Sequence, residues 1–221
     1  MNTVVLNGGL HIIDPEATQA AADAAAAFTA LTASPSGVNL SGVDLGGLAA
    51  PLTPGTYTFG SSAQLTGTLN LDFTGHVDTP FIFIIGSTLT SASGARVNVV
   101  GGGPESQIYW LVGSSATLGT YTTFAGNILA QASITLNTGA SILCGRALAI
   151  TAAVSLDTAS VSNSCSGGGD LGTHRSDFGS RGFSGAVPEP ASWALMGLGI
   201  GAAGLGFRRR RNALANLAYR P

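Results

Sequence analysis

The hydrophobic and polar positions of the chain fall into three textures. In the first, Ala17, Ala21, Ala24, Phe28 and Leu31 recur at spacings of four and three and form one narrow apolar stripe. This predicts a helix. Asp14-Pro15-Glu16 is a strong start for it, because Asp caps free amides, Pro presets φ and Glu complements the dipole. The helix should run to about Ala33 and stop before Ser34-Pro35. Its small residues would let it lie close against a flat partner surface. Ahead of it, Thr3 to Ile13 alternate weakly and predict a short strand. Residues 36–54 are rich in Gly, Pro and Leu with little periodicity and read as a connecting or capping loop.

From Gly55 onward the second texture begins. Short β-prone runs are separated by Gly, Asn, Asp and Ser: Thr56–Phe59, Gln64–Leu71, Phe81–Ile85, Gln107–Val112, Phe124–Ala130 and Ala147–Ile150. Helical periodicity is absent. Within this region a motif recurs. Ala116-Thr117-Leu118-Gly119-Thr120 aligns with Ile134-Thr135-Leu136-Asn137-Thr138 and with Val154-Ser155-Leu156-Asp157-Thr158, and a looser copy spans Thr88 to Ser93. The leucines Leu118, Leu136 and Leu156 are 18 and 20 residues apart, the length of one turn of a β-helix with short strands. The fold class is therefore mainly β, a solenoid with one long helix alongside. Turns would stack at about 4.8 Å, with alternate residues of a strand about 6.6 Å apart. Leu, Ile and Val should point inward. Thr120, Thr138 and Thr158 should stack outward in one rank, with Thr122, Ala140 and Ser160 in a second.

Charge sharpens this picture. Only 9% of the 221 residues are charged, where about 25% is usual. There is no lysine, and Arg96 and Arg146 are the only arginines before Cys165. So neutral a surface argues against nucleic acid as a partner, which needs a basic footprint. An enzyme acting on polysaccharide would need paired carboxylates in a groove. The acids Asp72, Asp78, Glu105 and Asp157 are instead scattered at turn-like positions, and His11, His76 and His174 show no partner pattern. Neither catalysis nor a cofactor is expected. The two cysteines, Cys144 and Cys165, have no CxxC spacing and no nearby histidine, so no metal site is expected. They form one disulfide if the chain is exported, or remain two buried thiols.

The third texture is the tail. Residues 166–186 form a Gly/Ser-rich linker. Val187-Pro188-Glu189-Pro190 is followed by a charge-free stretch, 191–207, and then by Arg208, Arg209, Arg210 and Arg211. As a helix that stretch would span roughly 26 Å, just enough to cross a bilayer. The arginines would hold its C-terminal end in the cytoplasm.

The tail, 187–211, resembles a PEP-CTERM sorting signal, on the strength of Pro188-Glu189-Pro190, the short apolar span and the Arg cluster in that order. The resemblance implies an exosortase-type protease as partner, transient residence in the inner membrane, and a mature protein at the cell surface or secreted. The solenoid segment resembles the microbial ice-binding proteins of the DUF3494 type. The matching stretches are Leu52-Thr-Pro-Gly-Thr-Tyr-Thr-Phe59, Phe81-Ile-Phe-Ile-Ile-Gly-Ser-Thr-Leu-Thr90, Tyr109-Trp-Leu-Val-Gly-Ser-Ser-Ala-Thr-Leu-Gly119, Gly126-Asn-Ile-Leu-Ala130, Ser133-Ile-Thr-Leu-Asn-Thr-Gly139 and Cys144-Gly-Arg-Ala-Leu-Ala149. That family implies a right-handed β-helix over residues 1–165, with the helix of about 15–33 along one side and ice bound on a flat face. Its members carry a further strand-rich segment before the helix. Met1 to Leu10 also lack the basic and apolar regions of a signal peptide. In-frame coding sequence upstream of Met1, supplying both, is therefore expected.

Ice offers only water to bind, so a binder needs a flat, ordered, uncharged face. Thr supplies a methyl, a hydroxyl and a stiff χ1. The expected ice contacts are Thr66, Thr68, Ser91, Ser93, Thr120, Thr122, Thr138, Ala140, Thr158 and Ser160. The alternative function is a biofilm or cell-surface adhesin in which the solenoid is a spacer. A disulfide between Cys144 and Cys165 would tie the end of the last coil to the one before it.

Overall fold

The structure is a computed structural model, and it describes residues 12, 14–35, 37–76, 79–101 and 108–162. The chain divides into two units, residues 1–183 and 184–221, and the second lies wholly outside the described residues. So do the linker, the sorting tail with its expected span at 191–207, Cys165, and nearly all of the strand expected at Thr3–Ile13. Among the described residues no helix is long and apolar enough to cross a membrane.

Among the described residues sixteen strands wind into three parallel sheets, and from β2 onward each sheet takes every third strand. Face A holds β1 (Val38–Asn39), β2 (Gly55–Phe59), β5 (Phe81–Ile85), β8 (Ile108–Val112), β11 (Asn127–Ala130) and β14 (Ala147–Ala149). Face B holds β3 (Ala63–Leu65), β6 (Leu89–Ser91), β9 (Ala116–Leu118), β12 (Ile134–Leu136) and β15 (Val154–Leu156). Face C holds β4 (Thr68–Asp72), β7 (Arg96–Val100), β10 (Thr123–Ala125), β13 (Ser141–Leu143) and β16 (Ser160–Val161). The predicted repeat therefore sits on face B, where Ala116, Ile134 and Val154 are partners across β9, β12 and β15.

The hydrophobic pattern explains which faces are covered. Strands of face B read apolar-x-apolar, except that Ser91 ends β6, with the flanking residues buried and the middle one outward in β3, β6, β9 and β12. Face A reads as continuous apolar runs, Phe81-Ile-Phe-Ile-Ile85 and Ile108-Tyr-Trp-Leu-Val112. A sheet covered on both sides needs such runs. Its inner side joins the core and its outer side meets the helix α1 (Pro15–Thr32). Phe28, with Ala27 and Leu31, packs on Ile82, Tyr109, Leu111 and Leu129. Ala24 and Phe28 of the predicted stripe are buried, whereas Ala21 is exposed, so the contact is centred on the C-terminal half of α1. Asp14 caps the helix as expected, accepting from the Ala17 amide at 2.8 Å.

Two expected strands are each split at a corner. Gln64–Leu71 divides into β3 and β4, and Phe124–Ala130 divides into β10 and β11. Gly126 makes the second break: its φ is +94°, and a Cβ there would lie 2.6 Å from that of Ile108. Only glycine turns the chain so sharply against the rung beneath. The region read as a loop, 36–54, is itself a sparse first coil. Val38 and Asn39 pair with β2, Asp44 bridges Gln64 on face B, and Leu52 bridges Leu71 on face C.

Inside the solenoid, aromatic rings stack along the axis. Tyr57 and Phe83 are 5.3 Å apart, Phe83 and Trp110 are 4.0 Å apart and nearly parallel, and Trp110 and Phe124 are 4.8 Å apart. The Trp110 indole N–H donates to the Ala125 carbonyl at 3.0 Å, so burial leaves it satisfied. This stack holds the rungs of faces A and C together. Trp110→Ala should lower the unfolding free energy by about 3–5 kcal/mol, read as a shift in the denaturant midpoint followed by circular dichroism.

Candidate functional site

With face A under the helix, faces B and C remain open, and they differ in charge and regularity. Along face B the outward residues fall in straight columns, because every rung pairs in register. The central column is Gln64, Thr90, Thr117, Thr135 and Ser155. Beside it run Ser62, Thr88, Ser115, Ser133 and Ala153, aligned by backbone bonds such as Ala116 N–H to the Ser133 carbonyl at 2.9 Å. Hydroxyls within this second column bond to each other: Thr88 donates to Ser62 at 2.8 Å and Ser133 to Ser115 at 3.0 Å. Neither column contains a charge.

Face C is uneven. Its strands shorten from five residues in β4 and β7 to three in β10 and β13 and two in β16. Its outward positions include Arg96, the bonded pair Asn70–Asn98, and the exposed apolar side chains of Val100 and Leu143. Asp72 is also there. Hydrogen bonds from the Thr74 side chain and amide hold its carboxyl below the usual carboxylate range, so this face carries charge of both signs at neutral pH.

The expected contact residues gather at the corner between faces B and C rather than on the flat of B. Thr120, Thr138 and Thr158 stack there as anticipated, with the Tyr121 N–H donating to the Thr138 carbonyl at 3.0 Å and the Gly139 N–H to that of Thr158 at 3.3 Å. Ser93 is exposed on the same corner, one rung earlier. The Thr138 hydroxyl is not free: it donates to the Asp157 carboxylate at 2.5 Å. Thr68 and Ser160 are exposed at the near edge of face C, where Thr68 is the partner of Arg96 and Ser160 of Ser141. Thr66 is half-buried, and its amide donates to Asp44 at 2.8 Å while its hydroxyl bonds the same carboxylate. Burial pushes the Asp44 carboxyl up, but the bonds from Thr66 and from the Gly46 amide outweigh it and hold it below its ordinary value.

Three expected contacts point inward. Thr122, Ala140 and Ser91 are buried. Thr122 and Ala140 follow the inward Leu118 and Leu136 by an even number of residues, and the corner preserves that phase. Ser91 occupies the place of those leucines one rung earlier. Its hydroxyl lies 2.8 Å from that of Thr122 and accepts from the Gly119 amide at 2.9 Å, and Thr122 donates to the Ala92 carbonyl at 3.1 Å. These residues satisfy one another inside the wall. Nor does Ser160 continue the rank of Ala140: the last corner is one residue shorter, and Ser160 pairs with Ser141.

The sequence reading passed over Thr90, Thr117, Thr135 and Ser155, the column on the flat of face B, although the signal for an outward position was present. Thr90, Thr117 and Thr135 each stand between two buried residues, the one outward place that period-two alternation allows, and Ser155 pairs with Thr135 on the last rung, where Val154 and Leu156 are themselves exposed. Among the described residues no three metal-ligating side chains come together, and no cysteine is free.

Comparison with known proteins places this geometry. A family model described as "Ice-binding-like" matches residues 1–162, and one described as "PEP-CTERM protein-sorting motif" matches 186–211. An ice-binding protein of Nostoc sp. (strain HG1) is 45% identical over 207 residues, which are 93% of this chain and 71% of that protein. Ice-binding protein 1 of Shewanella frigidimarina is 40% identical over 121 residues, 54% of this chain but 13% of the other. Among solved structures, the ice-binding protein of the Antarctic ascomycete Antarctomyces psychrotrophicus superposes with a TM-score of 0.65 at 35% identity, covering 72% of this chain and 77% of that one. An ice-binding protein from an Antarctic biological consortium gives 0.63 at 41% identity, covering 68% of each chain.

Proposed function

This chain belongs to the ice-binding-like family, and from that premise we propose that it binds ice and that face B is the surface in contact with the crystal. The observation that carries the assignment is the uncharged Thr/Ser column running through successive rungs of the open, regular face. Rungs about 4.8 Å apart, with columns about 6.6 Å apart, form a two-dimensional array of methyl and hydroxyl groups. The hydroxyls anchor water, while covering the methyls releases their hydration water to the bulk. The Ser62–Thr88 and Ser115–Ser133 bonds fix hydroxyl directions before the crystal arrives. Bound molecules then confine growth to the ice between them, which slows growth and recrystallisation. The adhesin reading has less support, since the relatives named above are ice-binding proteins.

The tail supports export. Residues 191–207 act as a transient membrane anchor oriented by Arg208–Arg211, and an exosortase-type protease cuts near Pro188-Glu189-Pro190 to leave the solenoid outside the cell. An exported chain favours a Cys144–Cys165 disulfide, and in the entropy model a loop of this size is worth about 3 kcal/mol. Intact-mass measurement of exported protein under non-reducing conditions should find no alkylatable thiol; two alkylated cysteines would refute the pairing.

Thr135→Tyr places a bulky ring in the middle of the contact column without touching the core. The variant should keep the wild-type circular dichroism spectrum and lose most thermal hysteresis, at least fivefold at equal concentration. Full activity in a folded Thr135→Tyr protein would move the contact off face B.

A further inference from the structure

At the corner between faces B and C, successive rungs pass through the same left-handed backbone turn. Gly94 and Gly139 occupy it with φ of +71° and +70°, and between them in the stack stands Tyr121, with φ of +56°. The backbone bonds Gly94 N–H to the Thr120 carbonyl and Tyr121 N–H to the Thr138 carbonyl keep the three in line. A left-handed aromatic residue is strained, because its Cβ crowds the backbone where glycine has none.

Packing returns little for that strain. Tyr121 is 70% exposed, the most exposed of the large apolar side chains among the described residues. Its hydroxyl makes no hydrogen bond to the other described residues. Its ring lies against Gly139, where a Cβ would stand 2.5 Å from ring carbons Cδ1 and Cε1. Glycine at 139 therefore makes room for the ring to lie close along the rim, beside the Thr120–Thr138 stack. The neighbouring rungs turn the same corner with glycine, so the turn itself does not call for an aromatic side chain. Strain held at an exposed position points to function rather than stability.

We propose that Tyr121 is an ice-contact residue that extends the surface of face B around its rim, an inference that rests on ice binding by that face. The ring adds a planar apolar patch one step beyond Thr120 and Thr138. Its hydroxyl is available to surface water.

The test compares full-length wild type with Tyr121→Gly, Tyr121→Asn and Tyr121→Phe, by thermal unfolding and by thermal hysteresis at matched concentration. Gly and Asn both tolerate the left-handed turn. The inference requires that both variants unfold at or above the wild-type temperature and lose at least half of the hysteresis, and that Phe retains most of it. Wild-type hysteresis in a stable Gly or Asn variant would overturn it. So would a fall in unfolding temperature that parallels the loss of activity in both, because the ring would then be a packing element. A wild-type chain without hysteresis would overturn this inference together with the ice-binding reading beneath it, whereas an active wild type with equally active variants would overturn the Tyr121 role alone.

Discussion

Parallel strands stacked in register, about 4.8 Å apart, are the constraint from which the other features of this molecule follow. Register turns the inward residues into continuous files, and the file through Tyr57, Phe83 and Trp110 becomes a ring stack inside the wall. The same register turns the outward residues into columns. Whatever chemistry one rung presents is repeated by the next, so a Thr between two apolar residues becomes a surface lattice when its neighbours keep the pattern. Burial of Ala116, Leu118, Ile134 and Leu136 thus fixes where Thr117 and Thr135 point.

The three faces divide the tasks. Face A gives up most of its solvent contact from β5 to β11, because Ile82, Tyr109, Leu111 and Leu129 are apolar on the outer side and Phe28 of the helix closes over them. That helix supplies a second layer against which the sheet can be buried on both sides. Face C absorbs the irregularities of coil length, and its charges and exposed Leu143 mark the result. Face B keeps three-residue strands on every rung from β3 to β15. Constant length and register keep its outward residues in straight columns.

Much of this was legible in the sequence. The Ala-rich helix and its Asp14 cap, most of the strand runs, and the recurring Leu118, Leu136 and Leu156 follow from periodicity. The narrow repeat described only the later coils, however: Ala63 to Leu89 and Leu89 to Ala116 span 26 and 27 residues, because the early strands of faces A and C are longer. The residues expected to meet ice were harder to place because a corner has no hydrophobic signature of its own. Thr120 and Thr122 look alike in sequence, yet the first stands on the rim and the second is sealed inside with Ser91. Tyr121 was passed over because a left-handed aromatic residue leaves no trace in a pattern of polar and apolar letters. The sparse first coil escaped for a related reason, since Val38, Asp44 and Leu52 pair with the next rung through few residues.

The claim that face B meets the crystal is tested most directly by partition into slowly growing ice. Two full-length variants carry the same bulky residue on the two open faces, Thr117→Tyr on B and Asn98→Tyr on C. The account predicts that the Asn98→Tyr protein enters the ice fraction as wild type does, while the folded Thr117→Tyr protein stays in the liquid. Exclusion of the Asn98→Tyr protein with full uptake of the Thr117→Tyr protein would contradict it and assign the contact to face C.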